Sequence, residues 1–556
     1  MAIPEWTITD FIHRESWWKN RGILILNLCL ILPLFSSVVN GLDSSTLNGL
    51  QILPGWQDYF HDPQGKILGL INSSQGIGAV SGIPFSPLFS DSIGRRATLA
   101  LGSAIMLAGV LTQTFSTTVH MFIGARIIIG FGLAFSFNAA PLLIMELAYP
   151  TQRGKITSVF NSLWYLGSIA SAWICLGAYS KAGQSDWSWR VPCLVQVVVP
   201  FLQMILVWFI PESPRYLVAK GLESQAASIL ARYHVNGGHK RDSLVVFEMA
   251  QIRHALKSEK EEFAGSSYYT CFATPANRRR MLIIIGLGVF SQWSGNGLVS
   301  YYIGIVLKGV GITSTFDQAA INGVLQVFNL VCALTGAMLV DKLGRRNLFL
   351  ISNAGMLITF SMWTLTTAMF DHSGTAAAAK ATVPLIFVYF FFYDFAYTPL
   401  LVSYSLEILP YKIRARGYAI MSFVIYATVA FNQFVNPWAL NALGWKYYLV
   451  YCGWLAVELV FVWFFIVETK GRTLEETAAL FDGEKMPQQI TELSEETTTR
   501  SIGLPQLDPI PGPPPDDIEF LDNYFELKEA DGVAGTSGTA SHLESQSEES
   551  AVAFVV

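Results

Sequence analysis

The chain has 556 residues, of which 52% are hydrophobic and 14% charged, with a formal net charge of −5. A soluble domain carries about 25% charged residues, so an ordinary soluble fold is excluded. The charges are unevenly placed, so their total says little about partners, and nothing in the composition calls for nucleic acid.

Apolar stretches of about 20 residues lie between short clusters of charge, long enough to cross a hydrocarbon core of about 30 Å as helices. They are rich in Gly, Leu, Ile and Phe and do not alternate polar with apolar residues, which favours helices over a membrane β-barrel. Residues 1–21 hold acids and tryptophans and do not read as a cleaved signal peptide, so the first span must do the targeting. Spans are expected at about 22–42, 67–89, 97–115, 121–142, 156–178 and 191–210, then at 281–307, 318–340, 347–369, 383–408, 418–440 and 446–466. The expected architecture is an all-α membrane protein of twelve transmembrane helices in two six-helix bundles, 22–210 and 281–466.

Between the bundles, residues 211–280 are polar but patterned. Val245, Met249, Ile252 and Leu256 form one apolar helical stripe, and Leu222, Ala226, Ile229, Leu230 and Tyr233 another. A helical domain lying under the bundle is expected. Residues 467–556 form a tail that after about 482 is rich in Glu, Ser, Thr and Pro, a composition that does not fold alone. Lys and Arg concentrate in the short loops on the side of both termini, which predicts cytoplasmic termini and a cytoplasmic central domain. The six cysteines (Cys29, Cys175, Cys193, Cys271, Cys332, Cys452) show no metal or disulfide spacing.

The chain repeats itself. Asp91-Ser92-Ile93-Gly94-Arg95-Arg96 follows span two, and Asp341-Lys342-Leu343-Gly344-Arg345-Arg346 follows span eight. Glu146 then precedes Arg153 after span four, and Glu407 precedes Arg416 after span ten. Glycine permits a tight turn, and the arginines can meet these carboxylates at helix ends. One such motif is an ordinary positive loop, but two at equivalent places read as a latch whose ion pairs change when helices rock. Solvated surface pairs are the plainer alternative.

The Asp-x-x-Gly-Arg-Arg pair resembles the signature of the major facilitator superfamily. With Pro211-Glu212-Ser213-Pro214-Arg215 and Glu468-Thr469-Lys470-Gly471-Arg472-Thr473, the chain resembles the sugar porter family over about residues 20–480. Val467 stands where that family usually has Pro. Phe160-Asn161-Ser162-Leu163-Trp164, Ser291-Gln292-Trp293-Ser294-Gly295-Asn296 and Asn432-Gln433-Phe434-Val435-Asn436-Pro437 resemble fungal lactose permeases and cellodextrin transporters.

Asp43 in span one and Arg126 in span four are ionisable groups at membrane depth, which is costly and normally functional. A static salt bridge is one reading. Proton coupling is the other, since an Asp–Arg contact that forms in one state and parts in another changes the proton affinity of the acid. The resemblance agrees, because proton-driven sugar porters carry Asp here.

A sugar site needs amides, hydroxyls and aromatic faces. The resemblance maps such positions onto Asn161, Ser291, Gln292, Tyr301, Asn329 and Asn432, with Asn296 one residue before the family's Asn position at Gly297. The family's Gln at 161 and 291 and its Trp at 402 are replaced by Asn161, Ser291 and Val402. Smaller groups imply a roomier cavity suited to a disaccharide such as lactose or cellobiose, unless Trp164, Trp293 or Phe395 refill it. For any single amide the alternative role is a helix–helix hydrogen bond.

The function expected is proton-coupled sugar import across the plasma membrane by alternating access, with sugar, proton and membrane lipid as partners. Trafficking or signalling proteins would meet the tail, and no nucleic acid, metal or cofactor is expected. The alternatives are a transporter-like sugar sensor signalling through that tail, and a hexose transporter. With no catalytic constellation or nucleotide loop, an enzyme is not expected.

Overall fold

The computed structural model describes residues 18–238, 240, 242–265, 269–374, 376–409, 411–470 and 480–481. Among these residues the ordered elements are helices, with no β-strand. Nine stretches are long and apolar enough to cross a membrane. One of them, Arg416–Phe465, holds parts of two consecutive helices, and Gly65–Gly82 and Arg153–Ala182 are further helices of spanning length, rich in serine and amide side chains. The chain is therefore an integral, multi-pass membrane protein of twelve spans in two halves.

The first half runs Arg21–Leu50, Gly65–Gly82, Arg95–Thr114, Val119–Leu147, Arg153–Ala182, and Trp187–Val195 continuing into Val198–Leu206. The second runs Pro275–Trp293 continuing into Asn296–Gly309, then Thr315–Leu343, Arg345–Ser373, Ala376–Ile408, Tyr411–Leu443 and Tyr447–Phe465. Span one begins where the Asn20 side chain accepts the N–H groups of Gly22 and Ile23, satisfying donors that a helix start leaves open. It runs on past the expected end at residue 42 to Leu50, because Asp43, Ser45, Thr46 and Asn48 are buried against neighbouring helices. A polar run ends a span only where it meets water.

Large apolar side chains such as Leu28, Ile358, Val460 and Phe464 stay exposed on the outer surface. That pattern fits a surface solvated by lipid. Inside, the second half has one continuous core that includes Ile284, Phe360, Trp363 and Tyr389. A smaller core in the first half gathers Leu99, Leu143, Ile144 and Val207. The halves meet where span two packs on span eleven and span five on span eight.

The segment after span six forms helices at Pro214–Ala219, Glu223–His234 and Ser243–Gly265. Ala226 and Leu230 share an apolar cluster with Val245 and Met249, so both expected stripes face each other. A second cluster joins Val246 and Phe247 to Ile23 and Tyr149 at the ends of spans one and four. His234 adds a polar tie, its ring nitrogens 2.7 Å from Glu248 and 3.1 Å from the Leu147 carbonyl.

Candidate functional site

The two Gly-Arg-Arg turns build the same network twice. Gly94 has φ +96° and Gly344 φ +85°, where a side chain is strained. Each glycine also leaves room for an acid, since a β-carbon would stand 2.6 Å from Glu212 Oε2 at the first turn and 2.6 Å from Glu468 Oε2 at the second. Glu212 accepts the Arg96 N–H at 3.3 Å, and Glu468 accepts the Arg345 and Arg346 N–H groups at 2.9 and 3.1 Å. These N–H groups open spans three and nine and have no partner in their own helix. Burial pushes the Glu212 carboxyl up, opposed by the backbone N–H groups and charge that favour its ionised form.

The arginine side chains complete the repeat. Arg95 lies 3.1 Å from Glu146 and 3.2 Å from Asp91, and Arg345 lies 3.1 Å from Glu407. The Ser213 hydroxyl donates to Glu146, and the Thr469 hydroxyl donates to Glu407 at 2.6 Å. Arg96 donates to the Trp208 carbonyl at 2.8 Å, and Arg346 to the Trp463 carbonyl at 2.9 Å. Each ion pair lies within one half. The side chains of Arg153 and Asp341 lie outside the described residues. Arg416 is partly buried and its charge acts on Cys271.

Deeper in the first half, Asp43 is 2% exposed and Arg126 3%. Arg126 is the charged neighbour of Asp43, but the two make no hydrogen bond. Arg126 Nη2 instead donates to Gln75 Oε1 of span two at 2.6 Å. Neither carboxylate oxygen of Asp43 has a hydrogen-bond partner.

Four of the expected sugar-site residues gather where span seven breaks, at Ser294 and at Gly295 with φ +99°. Gln292 is partly exposed, and its carbonyl accepts from Asn432 Nδ2 at 2.6 Å. Asn432 Oδ1 accepts the Tyr451 hydroxyl at 3.1 Å, so both ends of this amide tie helices together. A β-carbon at Gly297 would stand 2.3 Å from Asn432 Nδ2, so the space left by the missing side chain is filled. Ser291 is buried and its hydroxyl donates to the Gly288 carbonyl of its own helix at 2.8 Å. Asn296 donates to the Ser291 carbonyl at 3.1 Å and leaves its buried Oδ1 without a partner.

The remaining expected residues stand apart. Tyr301 lies beside Gln433, further along span seven. Asn329 is buried on span eight with an unpartnered Oδ1 and makes no hydrogen bond to the others. The Asn161 side chain lies outside the described residues.

Several polar residues were missed. Asn48 and Gln51 of span one reach across to span seven. Asn48 accepts the Ile303 N–H at 3.3 Å, and Gln51 donates to the Tyr301 carbonyl at 3.1 Å and to Asn72 at 3.0 Å. Lys308 donates to Gln57 at 3.3 Å. Apart from the Gln51–Asn72 bond within the first half, these bonds close the halves on each other at the end opposite the Gly-Arg-Arg turns. Their sequence signal is amides three or four residues apart inside an apolar run: Asn48 and Gln51, Asn72 and Gln75, Asn322 and Gln326. Asp394 and Glu458, both fully buried, carry the signal of an acid in an apolar run.

Twelve spans in two six-helix halves, each with the same glycine turn and ion-pair network, define a transporter of the major facilitator fold. The profile of the "Sugar (and other) transporter" family matches residues 28–481, and the chain belongs to that family. It is 26% identical over 501 residues to the "High-affinity glucose transporter" of Kluyveromyces lactis, covering 86% of this chain and 89% of that one. It is also 26% identical to the "High-affinity fructose transporter ght6" of Schizosaccharomyces pombe, covering 82% and 87%. The solved inward open xylose transporter XylE from E. coli superposes with a TM-score of 0.67 at 23% identity, over 82% of this chain and 99% of that one. The last likeness speaks for the fold alone. The protein is a membrane sugar transporter and not an enzyme.

Proposed function

We propose that this protein carries its sugar together with a proton, by alternating access, into the cell across the plasma membrane. Both termini and the helical domain then face the cytoplasm, in keeping with the Lys and Arg bias. The observation that carries this reading is Asp43, a buried acid with both oxygens unpartnered beside an arginine engaged elsewhere. An acid whose arginine can approach or withdraw is able to bind a proton in one state and release it in another. The test is uptake of labelled D-glucose and lactose into vesicles holding the purified protein. An inside-alkaline gradient should drive one of them above its outside concentration. Equilibration without accumulation for both sugars overturns proton coupling.

For the sugar itself we infer a disaccharide, on the small residues Asn161 and Val402. A hexose is the second reading. It is supported by Asn432 filling the space at Gly297 and by relatives named for glucose and fructose. The mutant Asn161→Gln with Val402→Trp should lose lactose uptake more than glucose uptake at matched expression. An equal fall in both overturns the disaccharide reading. A sensing role also has a relative, the "High glucose sensor RGT2" of Saccharomyces cerevisiae, 25% identical over 58% of that protein. Sugar binding without flux in the same vesicles would favour it.

A further inference from the structure

Asp394 sits in span ten, fully buried, within the run Phe391-Phe392-Tyr393-Asp394-Phe395. Its Oδ1 receives two hydroxyl donors. One is Thr398, a turn along the same helix at 2.8 Å, and the other is Tyr165, which comes from span five in the opposite half of the molecule. Its Oδ2 is buried and has no partner. The groups facing it are Tyr165 on span five, Cys332 on span eight and Tyr393 beside it on span ten. Tyr397 is tied to Asn353 of span nine, and Glu458 of span twelve acts on Tyr393. None of these is a cation, and among the described residues no Lys, Arg or His acts on Asp394. Asp43 differs in having Arg126 near.

A carboxylate in a dry site without a cation is costly, and such acids in membranes mark proton paths. The bond from Tyr165 crosses between the halves, so it must change whenever they rock at this level. We propose that Asp394 is a second proton-binding site of the transport cycle, loaded while Tyr165 docks span five on span ten. The proton arrives from water on one side and forms the O–H bond at Oδ2, because Oδ1 is occupied by two donors. When the halves part, water reaches the carboxyl, that O–H bond breaks and the proton passes to water. This extends the proton-coupled reading given above, but its test needs no sugar.

The test is infrared difference spectroscopy of the full-length protein in lipid, titrated from acid to alkaline pH. The carbonyl stretch of a protonated carboxyl is separate from carboxylate bands. Wild type should lose one such band on titration that is absent from Asp394→Asn and present in Asp43→Asn. Tyr165→Phe keeps the acid but removes a hydroxyl donor to its Oδ1, so the band should titrate over a different pH range from wild type. A titration of Asp394→Asn identical to wild type overturns the inference, as does a Tyr165→Phe titration superimposable on wild type. Should Asp394→Asn fail to assemble, the Tyr165→Phe shift decides. Absence of sugar-driven proton movement in wild type contradicts the proton-coupled function and leaves this titration readable.

Discussion

Gly297 and Asn432 show what a single missing side chain means. Gly297 stands where the family carries asparagine, with Asn296 one residue earlier, and the sequence alone does not say what takes the place of that side chain. In the fold the Asn432 amide takes that space and holds the Gln292 carbonyl. Gly297→Ala should therefore destabilise the protein by about 1–3 kcal/mol through overpacking, and Asn432→Ser in the same chain should recover part of it. Thermal unfolding in detergent measures both, and an unchanged midpoint for the single mutant contradicts the packing described. Asp43 was legible as an acid within an apolar run, and its neighbour Arg126 as the matching base. Gln75 was not, because nothing in the spacing of residues 75 and 126 shows that the arginine would turn to an amide. Asp394 and Glu458 obey the same rule as Asp43. They stand outside every repeated motif, so the sequence marks them as acids in apolar runs but does not show what faces them.

At the scale of elements, repetition made the architecture legible. The two Asp-x-x-Gly-Arg-Arg motifs fixed where each half begins its third helix, and the apolar stripes gave both long helices of the central domain. The caps were not legible, since Glu212 lies 116 residues from the Arg96 N–H it accepts, and Glu468 lies 123 from that of Arg345. Such contacts follow from how spans three and six, or nine and twelve, come together. Glu468→Ala leaves the first N–H groups of span nine without their acceptor, which should cost about 0.5–2 kcal/mol, the range for a lost helix cap. The same change at Thr469 removes one hydroxyl donor to Glu407, whereas Glu468 accepts the backbone N–H groups of Arg345, Arg346 and Lys470, so the Thr469 change should cost less. Thermal unfolding of the two variants side by side checks the order, and equal or reversed losses would show that the acid is not the cap.

For the whole molecule, the halves are closed at the end away from the arginine turns, where spans one and seven touch. A β-carbon at Gly304 would lie 3.1 Å from Ile52 Cγ1 and 3.9 Å from Ile52 Cα, within reach of a disulfide. Ile52→Cys with Gly304→Cys, in a background without the native cysteines, should cross-link under oxidant and stop transport until reduced. Full transport in the cross-linked protein would mean that this end need not open. The seam itself was hidden in the sequence, because amides that bridge two halves look like amides that bridge two helices of one half. The proposed role of Asp43 is to couple the proton to the sugar. It is tested most directly by comparing Asp43→Asn with wild type in vesicles, for accumulation under an inside-alkaline gradient and for sugar exchange without one. The mutant should exchange sugar but no longer accumulate it, and accumulation at the wild-type level would contradict that role.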